Sequence, residues 1–296
     1  ANVSTVPPAV KWFPPEKKGM VTGVSVAGIG ISAVVYSPLA NGLLQSVGIE
    51  KTFIYIGIAA LIFMLLLSQF LVNPPEGYVP TSKATPKKSP KKAVSSSSRD
   101  MGLKDIIKTS SFYKYWIMFM ISSTAGLMVI AHAANIAKVQ ISWEGGFYLV
   151  ILLSVFNATG RISGGAISDK IGRLNLMRII FGLQAINMLV FMFYSNVGML
   201  ALGIAVAGFC YGASFSVFPA TIMDLYGMKH FGANYGLIMT AWGVGGVIGP
   251  MMAAAIFDAN KNYDMSYIVS GILLVITFLI TFTVRSRDKE KAVKVN

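Results

Sequence analysis

Residues 145–173 read GGFYLVILLSVFNATGRISGGAISDKIGR. Sixteen uncharged residues, Gly145 to Gly160, precede Arg161. A glycine-rich turn with tightly spaced charges then follows: Gly164, Gly165, Asp169, Lys170, Gly172 and Arg173. A membrane-crossing helix needs about 20 mostly apolar residues. The stretch therefore reads as one span ending in a charged turn. A charge-assisted bond between Asp169 and its basic neighbours could hold two helix ends together there.

The same pattern extends in both directions. Uncharged or nearly uncharged runs predict about eight spans, near 19–45, 52–73, 113–137, 145–167, 175–194, 198–223, 232–257 and 265–284. Of the 296 residues, 54% are hydrophobic and 12% charged, with mean hydropathy +0.64. Soluble domains carry roughly 25% charged residues, so a soluble domain is excluded. Long continuous runs also argue against a β-barrel, whose strands alternate over short segments. The fold class is all-α, a polytopic transmembrane helical bundle, because backbone in lipid must bond to itself.

Lys and Arg number 25 against 12 acids, a net charge of +13. These cations fall on alternate loops, which the positive-inside rule assigns to the cytoplasm. No nucleic-acid partner is needed to explain them; the lipid bilayer is the expected partner. Both ends of the sequence then lie inside, with a long basic loop at 74–111. Its Lys- and Ser-rich composition buries no core and reads as a flexible linker, with contact to anionic lipid as the second reading. The one cysteine, Cys210, allows no intrachain disulfide, and with only His132 and His230 there is no metal-site spacing. No phosphate loop or paired buried carboxylates appear. The sequence reads as neither an enzyme nor a holder of any cofactor, and as monomeric.

A repeat flanks the linker. Gly19, Gly23 and Gly30 match Gly232, Gly236 and Gly243 at one constant offset, and Pro38 matches Pro250 one residue off. The first two spans thus repeat the last two in the same direction through the membrane, as two parallel halves would. On this reading 1–73 ends an N-terminal half, 112–286 is a complete six-helix half and 287–296 is a tail. Roughly four helices are expected upstream. Gly23, Gly30, Gly243, Gly249, Pro38 and Pro250 are the expected helix-packing and hinge positions.

The turn at 164–173 resembles the conserved loop motif of the major facilitator superfamily. Within it the chain is similar to the oxalate/formate antiporter family, related to the monocarboxylate porters. The matching residues are Trp12-Phe13-Pro14, Ser37-Pro38-Leu39-Ala40, Pro75-Glu76-Gly77-Tyr78, Gly126 to Ile130, Asn157-Ala158-Thr159-Gly160-Arg161, and Asn234-Tyr235-Gly236 with Thr240 to Gly243. The resemblance implies about twelve helices and a secondary carrier working by alternating access.

Arg161 is the sharpest candidate. An ionisable residue within a span is costly and by default functional, and the guanidinium fork suits a carboxylate. Asn157, one turn earlier, shares its face. The bland alternative is snorkelling to the surface. The resemblance implies the clamp, with His132, Trp242 and Tyr211 as further substrate-binding candidates. His132 also reads as a helix-packing residue. Oxalate exchangers of the family use a lysine in the penultimate helix, where this chain has Trp242. Monocarboxylate porters place an aspartate where it has Asn157. One clamp without a second cation suits a monocarboxylate such as formate, lactate or pyruvate. Oxalate or another dicarboxylate exchanged for formate, and a non-transporting sensor on the same fold, are the alternatives. A co- or counter-transported ion stays open.

Overall fold

The computed structural model of the chain describes residues 2–75, 78 and 100–284. Glu76, Gly77, most of the expected linker and the whole 287–296 tail lie outside the described residues. The elements are α1 (Asn2–Lys11), α2 (Lys18–Ser68), α3 (Leu103–Ile106), α4 (Ser110–Ile141), α5 (Gly146–Ile171), α6 (Arg173–Val190), α7 (Val197–Tyr226), α8 (Phe231–Asn260) and α9 (Asp264–Thr283). Among the described residues, seven segments are long and apolar enough to cross a membrane.

The first of those segments, Gly42–Ser68, lies within α2, which looks far too long. A straight helix of its 51 residues would run about 75 Å at 1.5 Å per residue. Yet Trp12 donates from Nε1 to the Val72 carbonyl at 2.9 Å, and Lys11 Nζ donates to Asn73 Oδ1 at 3.0 Å. The chain therefore doubles back. It does so at Gly48, whose φ of 80° and ψ of 174° are the non-helical values inside α2. Only glycine takes that conformation cheaply. The spans expected at 19–45 and 52–73 are the two arms of this hairpin.

Pro38, an expected hinge, sits inside the first arm without interrupting it. Its ring fixes a φ compatible with helix and costs one backbone bond; the reversal falls at Gly48 instead. The second arm is apolar on all sides and exposed, with Phe53 and Leu67 typical. That is the surface a helix turned to hydrocarbon presents.

Helices α4, α7 and α8 run a few residues past their hydropathy limits at both ends, because a helix does not end where its first charge appears. Local chemistry ends them. The Thr109 hydroxyl accepts from Phe112 N at the start of α4, and Asn196 Oδ1 accepts from Met199 N at the start of α7. Ser142 and Lys261, both left-handed, close α4 and α8.

Helix α5 lies between α7 and the first arm of α2; α4 pairs with α8 and α6 with α9. One apolar cluster joins Phe119, stacked 4.4 Å from Phe218, to Phe215, Tyr211 and Tyr235. A second, around Leu149, Phe191 and Tyr267, fills the end away from the basic loops.

The glycines set how close the helices come. A Cβ on Gly23 would overlap the Arg161 carbonyl, and one on Gly30 would stand 2.8 Å from Ala158 N. Gly249 meets the Thr124 backbone in the same way. At Gly243, no described residue lies within 4 Å of the place its Cβ would take. It points away from α4, the helix that Gly245 and Gly249 face.

Candidate functional site

Arg161 does not snorkel. It is 2% exposed, and its fork turns into the seam between α5 and the first arm of α2. Nε donates to Asn157 Oδ1 at 2.9 Å, and Nη1 donates to the Val26 carbonyl at 2.8 Å. The guanidinium carbon lies 4.6 Å from the centre of the Phe215 ring, a cation–π distance. Arginine has five N–H donors, and these two bonds are the ones it makes among the described residues. Three donors remain for a bound acceptor. Asn157 thus orients the guanidinium, using the i, i+4 relation of its helix face.

Tyr211 and Trp242 meet beside it. Trp242 Nε1 donates to the Tyr211 hydroxyl at 2.9 Å, and both rings pack on Phe215. Gly126 makes room, since a Cβ there would strike the Tyr211 ring. Four of the five expected substrate-site residues, Arg161, Asn157, Tyr211 and Trp242, therefore form one group.

His132 stands apart from them. Its Nε2 lies 3.2 Å from the Pro250 carbonyl and its Nδ1 3.1 Å from the Tyr263 hydroxyl. A carbonyl only accepts, so Nε2 carries the proton and Nδ1 accepts from Tyr263. Asn135 Nδ2 in turn donates to Tyr263 at 2.7 Å. Burial pushes the Tyr263 phenol up; the Asn135 bond opposes that shift and Asp258 adds to it. With both ring nitrogens engaged, His132 ties α4 to α8 at the end away from the basic loops. Of the two readings of His132, helix packing is the one these bonds express.

The motif at the end of α5 builds a second assembly. Gly172, with φ of 93°, makes the turn into α6. Asp169 pairs with Arg173 at 2.7 Å, and Arg173 Nε donates to Asp224 Oδ2 at 3.0 Å. Arg173 also bonds to the Ser168 hydroxyl, and Lys18 lies 3.8 Å from Asp224. The two oxygens of Asp169 accept from Gly19 N at 3.0 Å and Met20 N at 2.9 Å. These are first-turn N–H groups of α2, whose own N-cap, Lys17, supplies no side-chain bond. A carboxylate from α5 therefore caps α2, where the helix dipole favours negative charge. Gly165 lets the two backbones meet: a Cβ there would overlap the Gly19 carbonyl. Lys170 makes no side-chain bond among the described residues and leans outward from the turn.

Asp169→Ala is expected to remove the cap and one partner of Arg173 together. The cost should be about 3 kcal/mol, read as a lower thermal midpoint in detergent. An unchanged midpoint would mean that the network does not hold α2 to α5.

Two residues of these assemblies were not expected. Asp224 figured in the sequence only as the charge ending a long apolar run, yet it anchors Arg173. Its signal was a lone acid at a basic helix end. Tyr235, quoted only for resemblance, lies fully buried in the cluster that holds Tyr211 and Phe215.

Fold and site together define a polytopic helical membrane protein with a buried cation between packed helices. The sequence matches the Major Facilitator Superfamily over residues 3–197 and 109–296, and the chain belongs to that family. It is 27% identical over 295 residues to an oxalate:formate antiporter of Oxalobacter formigenes, covering 97% of this chain and 67% of that one. It is 25% identical to apicoplast pyruvate carrier 1 of Toxoplasma gondii, covering 77% of this chain and 51% of the carrier. Monocarboxylate transporter 14 of Mus musculus is 27% identical, covering 56% of this chain and 32% of that transporter. The chain thus spans a third to two thirds of the length of these relatives. The E. coli fucose:proton symporter shares the fold at a TM-score of 0.67 and 12% identity, covering 96% of this chain and 73% of the symporter.

Proposed function

We propose that this chain serves secondary active transport of small organic anions, chiefly monocarboxylates such as formate, lactate and pyruvate, by alternating access. The observation that carries this reading is Arg161: a buried, permanently charged fork with three donors unpaired among the described residues, and an aromatic wall. A buried charge without a partner is strongly unfavourable, so the arrangement calls for an anion. The named activities of the oxalate:formate antiporter and the pyruvate carrier point to the same class of ligand.

In this proposal Asn157 orients Arg161, while Tyr211 and Trp242 shape the cavity. The end carrying the basic loops faces the cytoplasm. There Asp169, Arg173 and Asp224 form the inner latch, since they join α2 to α5, α6 and α7. Residues 1–73 close one half of the carrier and 112–286 form the other.

Charge supports a monoanion. Among the described residues Arg161 is the one cation in the buried group, and a dianion would keep one charge without a partner there. Proteoliposomes containing the full-length protein are expected to take up labelled formate, lactate or pyruvate saturably. Oxalate should enter about tenfold more slowly, the cost of an unmatched charge of about 1.4 kcal/mol or more. Oxalate uptake as fast as formate would sink the monoanion reading.

A further inference from the structure

Tyr235 lies in the first turns of α8 and is completely buried, yet its hydroxyl has no hydrogen-bond partner among the described residues. Burying an unpaired phenol is unfavourable, so a structural role alone would be served better by phenylalanine. The ring is fixed: it stacks on Phe231 with centroids 5.3 Å apart and planes 9° from parallel. Tyr235 shares one buried cluster with Tyr211 and Phe215, and the Arg161 guanidinium carbon lies 4.6 Å from the centre of that Phe215 ring.

The internal repeat supplies a second, independent observation. The offset that matches Gly23 to Gly236 matches Thr22 to Tyr235. Thr22 is also fully buried, and its hydroxyl is also without a partner among the described residues. It lies one turn before Val26, whose carbonyl holds Arg161. Equivalent positions of the two repeats thus carry an unpaired hydroxyl in the interior.

We propose that Tyr235 is a further substrate-binding and specificity-determining residue: its phenol donates to the carboxylate that Arg161 holds. This rests on the reading of Arg161 as the anion clamp. A carboxylate offers about four lone-pair sites. The guanidinium fork covers one edge, and the rest need donors in a dry site. Tyr211 has its oxygen occupied by Trp242 and its proton available; Tyr235 has both free. Neutral donors complete the shell without adding charge, so the bound pair of Arg161 and a monoanion stays neutral. A second lysine would favour a dianion instead. The stacked ring holds the donor in place before the anion arrives, which limits the ordering cost on binding.

The test is Tyr235→Phe in the full-length protein, in proteoliposomes, with labelled formate and lactate. The variant keeps the ring and its stack. KM is expected to rise about tenfold, as for loss of one hydrogen bond to a charged group, with the maximal rate within about twofold. The thermal midpoint in detergent should hold or rise, because a buried unpaired hydroxyl has gone. An unchanged KM overturns the proposal. So does a raised KM that comes with a lowered midpoint, which would assign the effect to packing. Arg161→Gln, run in parallel, separates the two failures. If that variant still takes up the anions, the clamp reading has failed. If it is inactive while Tyr235→Phe is normal, only the role of Tyr235 has failed.

Discussion

Arg161→Gln is expected to lower carboxylate uptake by two to three orders of magnitude at normal expression. Removing one partner of a buried ion pair costs about 3–5 kcal/mol, and each 1.4 kcal/mol is tenfold. Glutamine can still hydrogen-bond to Asn157 or to the Val26 carbonyl. It cannot neutralise an anion or offer a fork. Stability should change little, because the unliganded protein loses a buried charge along with two bonds. The readouts are labelled-anion uptake and the thermal midpoint of the purified protein. Uptake within about threefold of wild type would demote Arg161 to a packing residue and move the anion site elsewhere.

Gly23→Ala is expected to slow uptake as well, although it touches no substrate. The added methyl would overlap the Arg161 carbonyl, and Ile162 Cα lies 3.3 Å from the same place. Backbone atoms cannot rotate aside as a side-chain tip can. The arm and α5 must therefore separate, which stretches the bond from Arg161 to Val26 and the contacts of Asp169 with Gly19 and Met20. Overpacking of this kind costs about 1–3 kcal/mol. A lower thermal midpoint and at least about tenfold slower uptake are expected. Gly28→Ala is the matched control, since among the described residues its Cβ would meet nothing within 4 Å. Equal behaviour of the two variants would show that the close approach is dispensable.

The spans were legible because hydrophobic length is the strongest signal a chain can carry. Even the hairpin of α2 was visible, as two runs separated by residues 46–51. Helix α1 was not: it is short and contains Pro7 and Pro8, and it is held by burial of Val6 and Val10 rather than by its own pattern. Arg161 announced itself as a charge in an apolar run, and Asn157 followed from helix geometry. The other bond of Arg161 was hidden, since its acceptor is a main-chain oxygen 135 positions away. His132 is hard to read for a related reason. A histidine in a span marks a need for partners without saying whether protein or ligand supplies them. Tyr235 hid among apolar neighbours, because an aromatic residue on a buried face reads as core until its hydroxyl is seen to be unpaired.

The hydrogen bond from Arg161 to the Val26 carbonyl bears on how this protein would look to genetics. Every residue offers a main-chain carbonyl, so no side-chain substitution at Val26 deletes the acceptor. An alanine scan along the first arm of α2 would score Val26 as tolerant and flag the glycines instead. The map would show a stripe of small residues and miss the atom they bring within reach of the guanidinium. Swapping the peptide bond that follows Val26 for an ester, by incorporating an α-hydroxy acid at Ala27, would weaken that oxygen as an acceptor and make the contact visible.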